Sequence, residues 1–432
     1  MTKIILAFLL SGFVIIAQSQ TKPLPTTAQL AWHKMEFYLF VHFGPNTFTD
    51  KEWGEGTEPE DVFNPANLDC KQWCRIAKAA GAKGIIITAK HHDGFCLWPS
   101  KYSTHTVRES KWENGKGDVL KELSKACKEY GLKFGVYISP WDRNHPKYGT
   151  PEYNDVFVNM MKEIFTNYGP IWELWWDGAN GEGPNGKKQV YDWTRFKNTV
   201  RQLSPNTVVF SDIGPDIRWC GNEQGFAAET NWNFLDTLGF TPGPGAPSTD
   251  TLNQGNYNGK NWIPAECDVS IRPGWFYHKE EDEKVKTPEK LFSLYLKSVG
   301  RGANLLLNVP PNRNGLISGE DSSALVRFKK LREQSFAKPV QVDPKRPQLI
   351  NCIVLRENLV FGQRVRRFVV EIFDEDNKST LINGTSIGEK RIFTFPSIKA
   401  SHINLKILQA DGKPKVFLLE SFLIKNELVE KT

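Results

Sequence analysis

Ile171-Trp172-Glu173-Leu174-Trp175-Trp176-Asp177-Gly178 is a mostly apolar run that ends in a carboxylate and a glycine. A short run of this kind, closed by a turn residue, reads as a strand of a parallel sheet covered on both faces. A carboxylate at the end of such a strand, beside two tryptophans, is placed as an ionisable group at the mouth of a barrel would be. Comparable runs at Phe37–Phe43, Gly84–Ala89, Lys133–Ser139, Thr207–Ser211, Trp262–Cys267 and Asn304–Val309 predict six further strands, with a weak eighth near Phe226–Asn231. Helical patterns fall between them, including Cys70–Ala80, Val119–Tyr130, Asn154–Asn167, Tyr191–Leu203 and Pro288–Gly300. This alternation predicts an α/β architecture, a (β/α)8-like barrel rather than an open doubly wound sheet.

Polar and glycine-rich segments follow the strands: His42-Phe43-Gly44-Pro45, Lys90-His91-His92-Asp93-Gly94, Ser139-Pro140-Trp141-Asp142, Asp177-Gly178 and Asn308-Val309-Pro310. In a barrel all of these ends converge on one face, where an active site is built. No G-x-G-x-x-G follows the first strand and no G-x-x-x-x-G-K-[ST] occurs, so nucleotide-binding readings lose their main support.

The chain has 432 residues, 40% hydrophobic and 24% charged, enough for a large catalytic domain and a smaller one. Its net charge of +6 is spread among nearly as many carboxylates as cations, which argues against nucleic acid as a partner. Met1-Thr2-Lys3 followed by the apolar Ile4–Ala17 has the form of a secretory signal, too short for a good membrane span, with cleavage expected after Ser19. The expected product is exported, periplasmic or secreted, with no membrane attachment after cleavage. The seven cysteines show no disulfide framework, and most are expected to be free and buried. Beyond about Lys338 the texture changes to short β-branched and aromatic runs separated by turns such as Asn383-Gly384 and Asp411-Gly412. The expected division is a signal over 1–19, a barrel over 20–337 and a small all-β sandwich over 338–432.

The converging face carries carboxylates, histidines and tryptophans: His42, Glu52, His91, His92, Asp93, Asp142, Asp177, Glu223, Glu229, Glu266, Asp268 and Arg272. Such a set matches glycoside hydrolysis, in which one carboxylate attacks or stabilises an oxocarbenium-like centre and another protonates the leaving oxygen. Carboxylates alone carry that chemistry, so neither a cofactor nor a metal ion is expected. Paired histidines beside an aspartate suit zinc in principle. Adjacent residues of a strand point to opposite sides, however, so only an irregular strand end would present both His91 and His92.

His42-Phe43-Gly44, Glu52-Trp53, Lys90-His91-His92-Asp93-Gly94-Phe95, Gly135-Val136-Tyr137 and Leu174-Trp175-Trp176-Asp177-Gly178, in this order, resemble glycoside hydrolase family 29, the α-L-fucosidases. The resemblance implies a retaining double displacement with Asp177 as nucleophile, acting on a fucosylated oligosaccharide or glycoconjugate. It also implies hydrogen bonds to fucose from His42, Glu52, Trp53, His91, His92 and Tyr137. Arg218-Trp219-Cys220-Gly221-Asn222-Glu223-Gln224-Gly225 is similar to the pattern of the branch preferring α-1,3 and α-1,4 fucosides, which makes Glu223 the acid/base. Glu229 and Glu266 are the alternatives for that role. Arg272 or Trp275, in the loop after Trp262–Cys267, is expected to touch sugar, and Phe43 and Trp275 are candidates for a wall facing the fucose methyl. The rival readings are a retaining glycosidase for another sugar and a non-catalytic glycan-binding protein.

Overall fold

The computed structural model describes residues 22–430, so the expected export signal lies outside the described residues. Eight parallel strands close a barrel: β1 (Phe37–Val41), β2 (Gly84–Lys90), β3 (Lys133–Ile138), β4 (Glu173–Trp176), β5 (Val208–Ser211), β6 (Ile217–Trp219), β7 (Ala265–Ser270) and β8 (Asn304–Asn308). Each pairs with the next in chain order, and β8 closes against β1. Helices cover most crossovers: α1 (Cys70–Ala79), α2 (Val119–Tyr130), α3 (Glu152–Asn167), α4 (Trp193–Leu203), α5 (Pro288–Lys297) and α6 (Gly319–Ser335). Aspartates cap α1, α2 and α4, each accepting from the third residue of its helix.

Two expected strands are corrected. The eighth strand is Ile217–Trp219, not the region near Phe226–Asn231; it lies five residues after β5 without a helix between them. Its central Arg218 is fully buried and donates to the carbonyls of Leu252 and Ile263 and to Asn231, so a barrel strand hides behind a charged residue. The run Trp262–Cys267 divides: Asn261–Trp262 pairs with Phe234–Leu235 in a separate hairpin, and the barrel strand begins at Ala265, after Pro264.

Side chains alternate across the barrel wall wherever the strands are regular. Leu39, Val41, Ile85, Ile87, Val136, Leu174, Trp176, Val209, Leu305 and Leu307 pack outward with the helices. Tyr38, Phe40, Ile86, Tyr137, Trp175, Phe210 and Leu306 fill the interior, where Trp175 stacks on Phe210 at 3.9 Å. Gly135 leaves room for this filling, because a Cβ there would lie 2.7 Å from Ile86.

Beneath these rings Glu173 and Glu266 face each other in the closed interior. Trp32 donates to Glu173 at 3.1 Å and Trp175 to Glu266 at 2.9 Å, and the Tyr38 hydroxyl also donates to Glu266. Burial and mutual repulsion raise the Glu173 pKa well above the ordinary range, and burial raises Glu266, so the pair holds a proton.

The remaining strands are β9 (Gln348–Glu357), β10 (Val365–Asp374), β11 (Ser379–Gly384), β12 (Arg391–Ala410) and β13 (Val416–Phe422). The 20-residue strand β12 pairs through its first half with β9 and through its second half with β10. Ile353, Leu355, Phe368, Val370 and Phe395 share one core on a five-stranded antiparallel sheet in the order β11-β10-β12-β9-β13. It docks at the end of the barrel where β1 and β8 begin: Arg356 and Lys390 pair with Glu36 at 2.9 and 2.6 Å, and Ile392 N–H donates to Gly300 at 2.8 Å. All seven cysteines are buried free thiols. Among the described residues no helix is long and apolar enough to cross a membrane.

The proton held by Glu173 has a measurable consequence. A carboxyl whose folded pKa lies above its unfolded value of about 4.3 contributes stability below that pH and loses it as pH rises through the folded pKa. Glu173→Gln, which keeps a donor toward Glu266, is expected to gain Tm relative to the parent as pH goes from 4 to 9. A Tm difference independent of pH would show that Glu173 is not held protonated.

Candidate active site

The inward parity continues past the strand ends. On β1 positions 38 and 40 face in, so His42 does; on β4 positions 173 and 175 face in, so Asp177 does; on β7 Glu266 is followed by Asp268. His42, Asp177 and Asp268, with Phe40, Glu52, Trp53, His91, His92, Tyr137, Trp175, Ala179, Glu223 and Trp275, line a cavity of about 170 Å³ at the barrel mouth. That is room for one sugar ring. Of the expected site residues, His42, Glu52, Trp53, His91, His92, Tyr137, Asp177, Glu223 and Trp275 are brought together.

Both histidines of the pair reach the cavity because β2 is irregular: its register against β3 shifts between Thr88 and Lys90, and the chain turns at Gly94 with φ +89°. A Cβ on Gly94 would lie 2.3 Å from Asp142, so the turn needs glycine twice over. Asp142 is fully buried and pairs with Lys90 at 3.2 Å, which ties the ends of β2 and β3 together and takes it out of the chemistry. Asp93 is buried in the same turn, accepting from Phe95 N–H at 2.6 Å.

The tautomers follow from the hydrogen bonds. Asn308 directs its amide N–H groups to Ser270 and to the Trp275 carbonyl, so its oxygen faces His42 Nδ1 at 2.8 Å and accepts from it. Ser139 donates to the Trp141 carbonyl at 3.0 Å, which leaves its oxygen to accept from His92 Nδ1 at 2.8 Å. Burial holds the pKa of both histidines down at about 3, and that of His91, beside His92 and His42, well below the ordinary value. Neutral His42 and His92 therefore keep Nε2 as an acceptor for sugar hydroxyls. His91 Nδ1 is buried with no partner among the described residues, and its ring lies 5.9 Å from Tyr137 in a stacked arrangement.

Four carboxyl groups line the cavity, and their surroundings separate them. Glu52 is saturated by the backbone N–H groups of Trp275 and Phe276, at 2.8 and 3.1 Å, and by His278 at 2.7 Å. Asp268 accepts from Trp219 Nε1 at 2.9 Å, and burial followed by the neighbouring Cys220 and Glu223 raises its pKa well above the ordinary range. Asp177 accepts from Ala179 N–H at 2.7 Å and from the Tyr137 hydroxyl at 3.0 Å, with His92 Nε2 3.8 Å away. Burial raises its pKa and these two donors oppose the rise. Glu223, on the loop after β6, opens to solvent at the rim and accepts from Trp275 Nε1 at 3.2 Å. Its pKa is raised, first by burial against the cavity wall and then by the charges of Asp177 and Glu52, while the Trp275 bond opposes the shift.

Several expected positions lie elsewhere. Arg272 does not face the cavity: it is fully buried, bonded to both oxygens of Asp321 at 3.1 and 3.0 Å and paired with Asp282 at 2.9 Å. The loop reverses at Pro273-Gly274, so Arg272 anchors it to α6 while Trp275 returns to the cavity. Phe43 has outward parity and packs with Phe48, Phe63 and Trp73; the apolar wall is made by Phe40, Trp175 and Trp275 instead. Glu229 is exposed beside Arg301, and Glu266 is sealed below the cavity. Asp50, His278 and Glu280 are near enough to share a metal ion, but both nitrogens of His278 are already bonded, to Asp50 and Glu52. Burial works against charge on that ring, and the two carboxylates outweigh it and raise its pKa.

The α-L-fucosidase family model matches residues 18–330. The chain belongs to the α-L-fucosidase family. It is a glycoside hydrolase of family 29, an enzyme that hydrolyses α-L-fucosides. Alpha-L-fucosidase 1 of Arabidopsis thaliana is 38% identical, over 93% of this chain and 88% of its own length. A family 29 member from a rumen bacterium is 41% identical with a TM-score of 0.88, covering 94% of this chain and 78% of that one. The Ruminococcus gnavus family 29 fucosidase, solved with fucose, is 27% identical with a TM-score of 0.84, covering 94% of this chain and 96% of that one.

The indole of Trp275 tunes the rim carboxyl of this enzyme. Trp275→Phe removes the donor that lowers the Glu223 pKa, so the basic limb of the kcat/KM profile is expected to move to higher pH. An unmoved basic limb would separate Glu223 from that limb.

Proposed function

We propose that the enzyme is an exported, retaining α-L-fucosidase that removes terminal α-1,3- or α-1,4-linked fucose from oligosaccharides or glycoconjugates. The observation that carries the mechanism is the division of labour among the cavity carboxyls: Glu52 is saturated, and Asp268 is bonded to Trp219 with burial disfavouring its charge, which leaves Asp177 at the floor and Glu223 at the rim. As the C1–O bond breaks, Glu223 gives its proton to the leaving oxygen and an Asp177 oxygen bonds to C1 with inversion. Esterification removes the Asp177 charge that had helped raise the Glu223 pKa, so Glu223 is a better carboxylate base in the second step. It then takes a proton from water, the hydroxide equivalent bonds to C1, and Asp177 leaves. His42 and His92 accept from fucose hydroxyls through Nε2, and Phe40, Trp175 and Trp275 give the methyl group an apolar wall. The fucose bound by the Ruminococcus gnavus relative supports this choice of sugar. The Arg218–Gly225 segment supports the linkage preference, and the signal-like 1–19 segment supports export.

Asp177→Gly is expected to fold, to lose turnover, and with azide to form the β-fucosyl azide, because azide attacks from the vacated face. Parent-like activity in a clean Asp177→Gly preparation would exclude the nucleophile assignment. Glu223→Gln is expected to lose about 10²–10⁴-fold in kcat on a fucosylated trisaccharide. Its loss on an aryl fucoside with an acidic leaving group should be small, because departure then needs no proton. Equal losses on both substrates would point to another acid. With the parent enzyme, NMR should detect α-L-fucose first, and α-1,3/1,4-fucosylated trisaccharides should be cleaved faster than α-1,2 isomers. An initial β-anomer would overturn retention.

A further inference from the structure

At the end of the barrel away from the catalytic cavity, a second cleft of about 790 Å³ lies between α5 and strands β11 and β12 of the C-terminal sheet. Its charges do not balance. Lys297, Arg301 and Arg391 line it with only two carboxylates, Glu229 and Glu430. Lys297 pairs with Glu430 at 3.5 Å, and Arg301 sits 3.7 Å from Glu229, whose side chain is 80% exposed. Arg391 has no ion pair within 4 Å among the described residues: it is 6% exposed, its Nε and Nη1 are buried without a hydrogen-bond partner, and the opposing charge that acts on it is that of the exposed Glu229. The ring of Phe393, 4.7 Å away, covers one face of the guanidinium. A backbone bridge joins Arg301 to Arg391, which sets the two arginines side by side.

A buried guanidinium whose counter-charge is a distant, solvent-exposed carboxylate is poorly compensated, and a planar, bidentate oxyanion is the group that relieves it best. The cleft is far larger than a small inorganic anion needs, and Thr380 and Asn383 add hydroxyl and amide groups at its edge. We propose that this cleft is a second carbohydrate site, which binds a sugar bearing one oxyanion, a carboxylate or a sulfate ester, with Arg391 as its anchor. The site would hold the enzyme on acidic glycans while the catalytic cavity removes fucose. It uses no residue of the catalytic cavity.

Calorimetric titration of the full chain at low ionic strength with D-glucuronate, N-acetylglucosamine 6-sulfate, glucose and inorganic sulfate tests this. One or both acidic sugars should bind with one-to-one stoichiometry, glucose should not, and Arg391→Met should weaken binding at least tenfold. The stronger of the two acidic sugars identifies the oxyanion. Arg391→Met should leave turnover of an aryl fucoside unchanged and raise the Tm of the free protein, whereas removal of a structural arginine would lower it. Arg301→Gln carries the same expectation for binding if Arg391→Met does not fold. Absence of binding by both acidic sugars, binding unaffected by these variants, or inorganic sulfate binding as tightly as the sugars would overturn the proposal. Fucosidase activity is read separately, so its failure and the failure of this site are distinguishable.

Discussion

The period-two alternation of side chains along closed parallel strands is the constraint on which everything else in this enzyme rests. Once the barrel closes, parity decides which residues are buried under helices and which face the axis, and it continues for a residue or two beyond each strand. Trp176 therefore packs outward while Asp177, one position later, stands at the cavity. The same count puts His42 inside and Phe43 outside. Where both of two consecutive residues are needed in the cavity, as with His91 and His92, the strand gives up its regularity and a glycine with positive φ turns the chain.

Parity positions the groups, and desolvation determines their charge. Three histidines in one small cavity would repel a cationic transition state if protonated, but burial keeps all of them neutral. Their Nδ1 protons on His42 and His92 are committed to Asn308 and Ser139, so each ring offers a lone pair of fixed direction. The negative charge is then left to the carboxylates, where an oxocarbenium-like centre is best stabilised.

Most of this was legible in the sequence because it depends on local pattern. Six barrel strands, five helices and nine of the ten expected site residues follow from apolar runs, caps, turn residues and motif resemblance. Phe43 was misplaced by parity alone, and the other failures share one physical origin, which is buried polarity. β6 was hidden because Arg218 sits at its centre, satisfied by carbonyls from segments distant in the chain. β7 was displaced because its inward residues are Glu266, Asp268 and Ser270, which no hydropathy pattern marks as strand. Arg272 was misplaced because its partners Asp321 and Asp282 follow in later segments, and only the folded chain brings them together. Asp268 carried a signal that was readable: it keeps the parity of Glu266, once the strand is given its true start.

The interior of this barrel holds more carboxyl groups than it can hold as charges. Glu173, Glu266, Asp268 and Asp177 all lie along the axis, and four unpaired anions in a low-dielectric core would exceed the stability of an ordinary domain. Protonation resolves this below the site, where Glu173 and Glu266 hold a proton between indole and phenol donors, and at Asp268, which burial and Glu223 keep neutral. Asp177 differs in lying at the strand end, partly open to the cavity, where a backbone N–H and the Tyr137 hydroxyl supply donors to the ionised form. Neutral acids beneath it spare Asp177 a like charge on the axis, which would drive its pKa further up. The buried polar floor and Asp177 are thus parts of one electrostatic arrangement, in which protons held deep in the barrel leave the negative charge at its mouth.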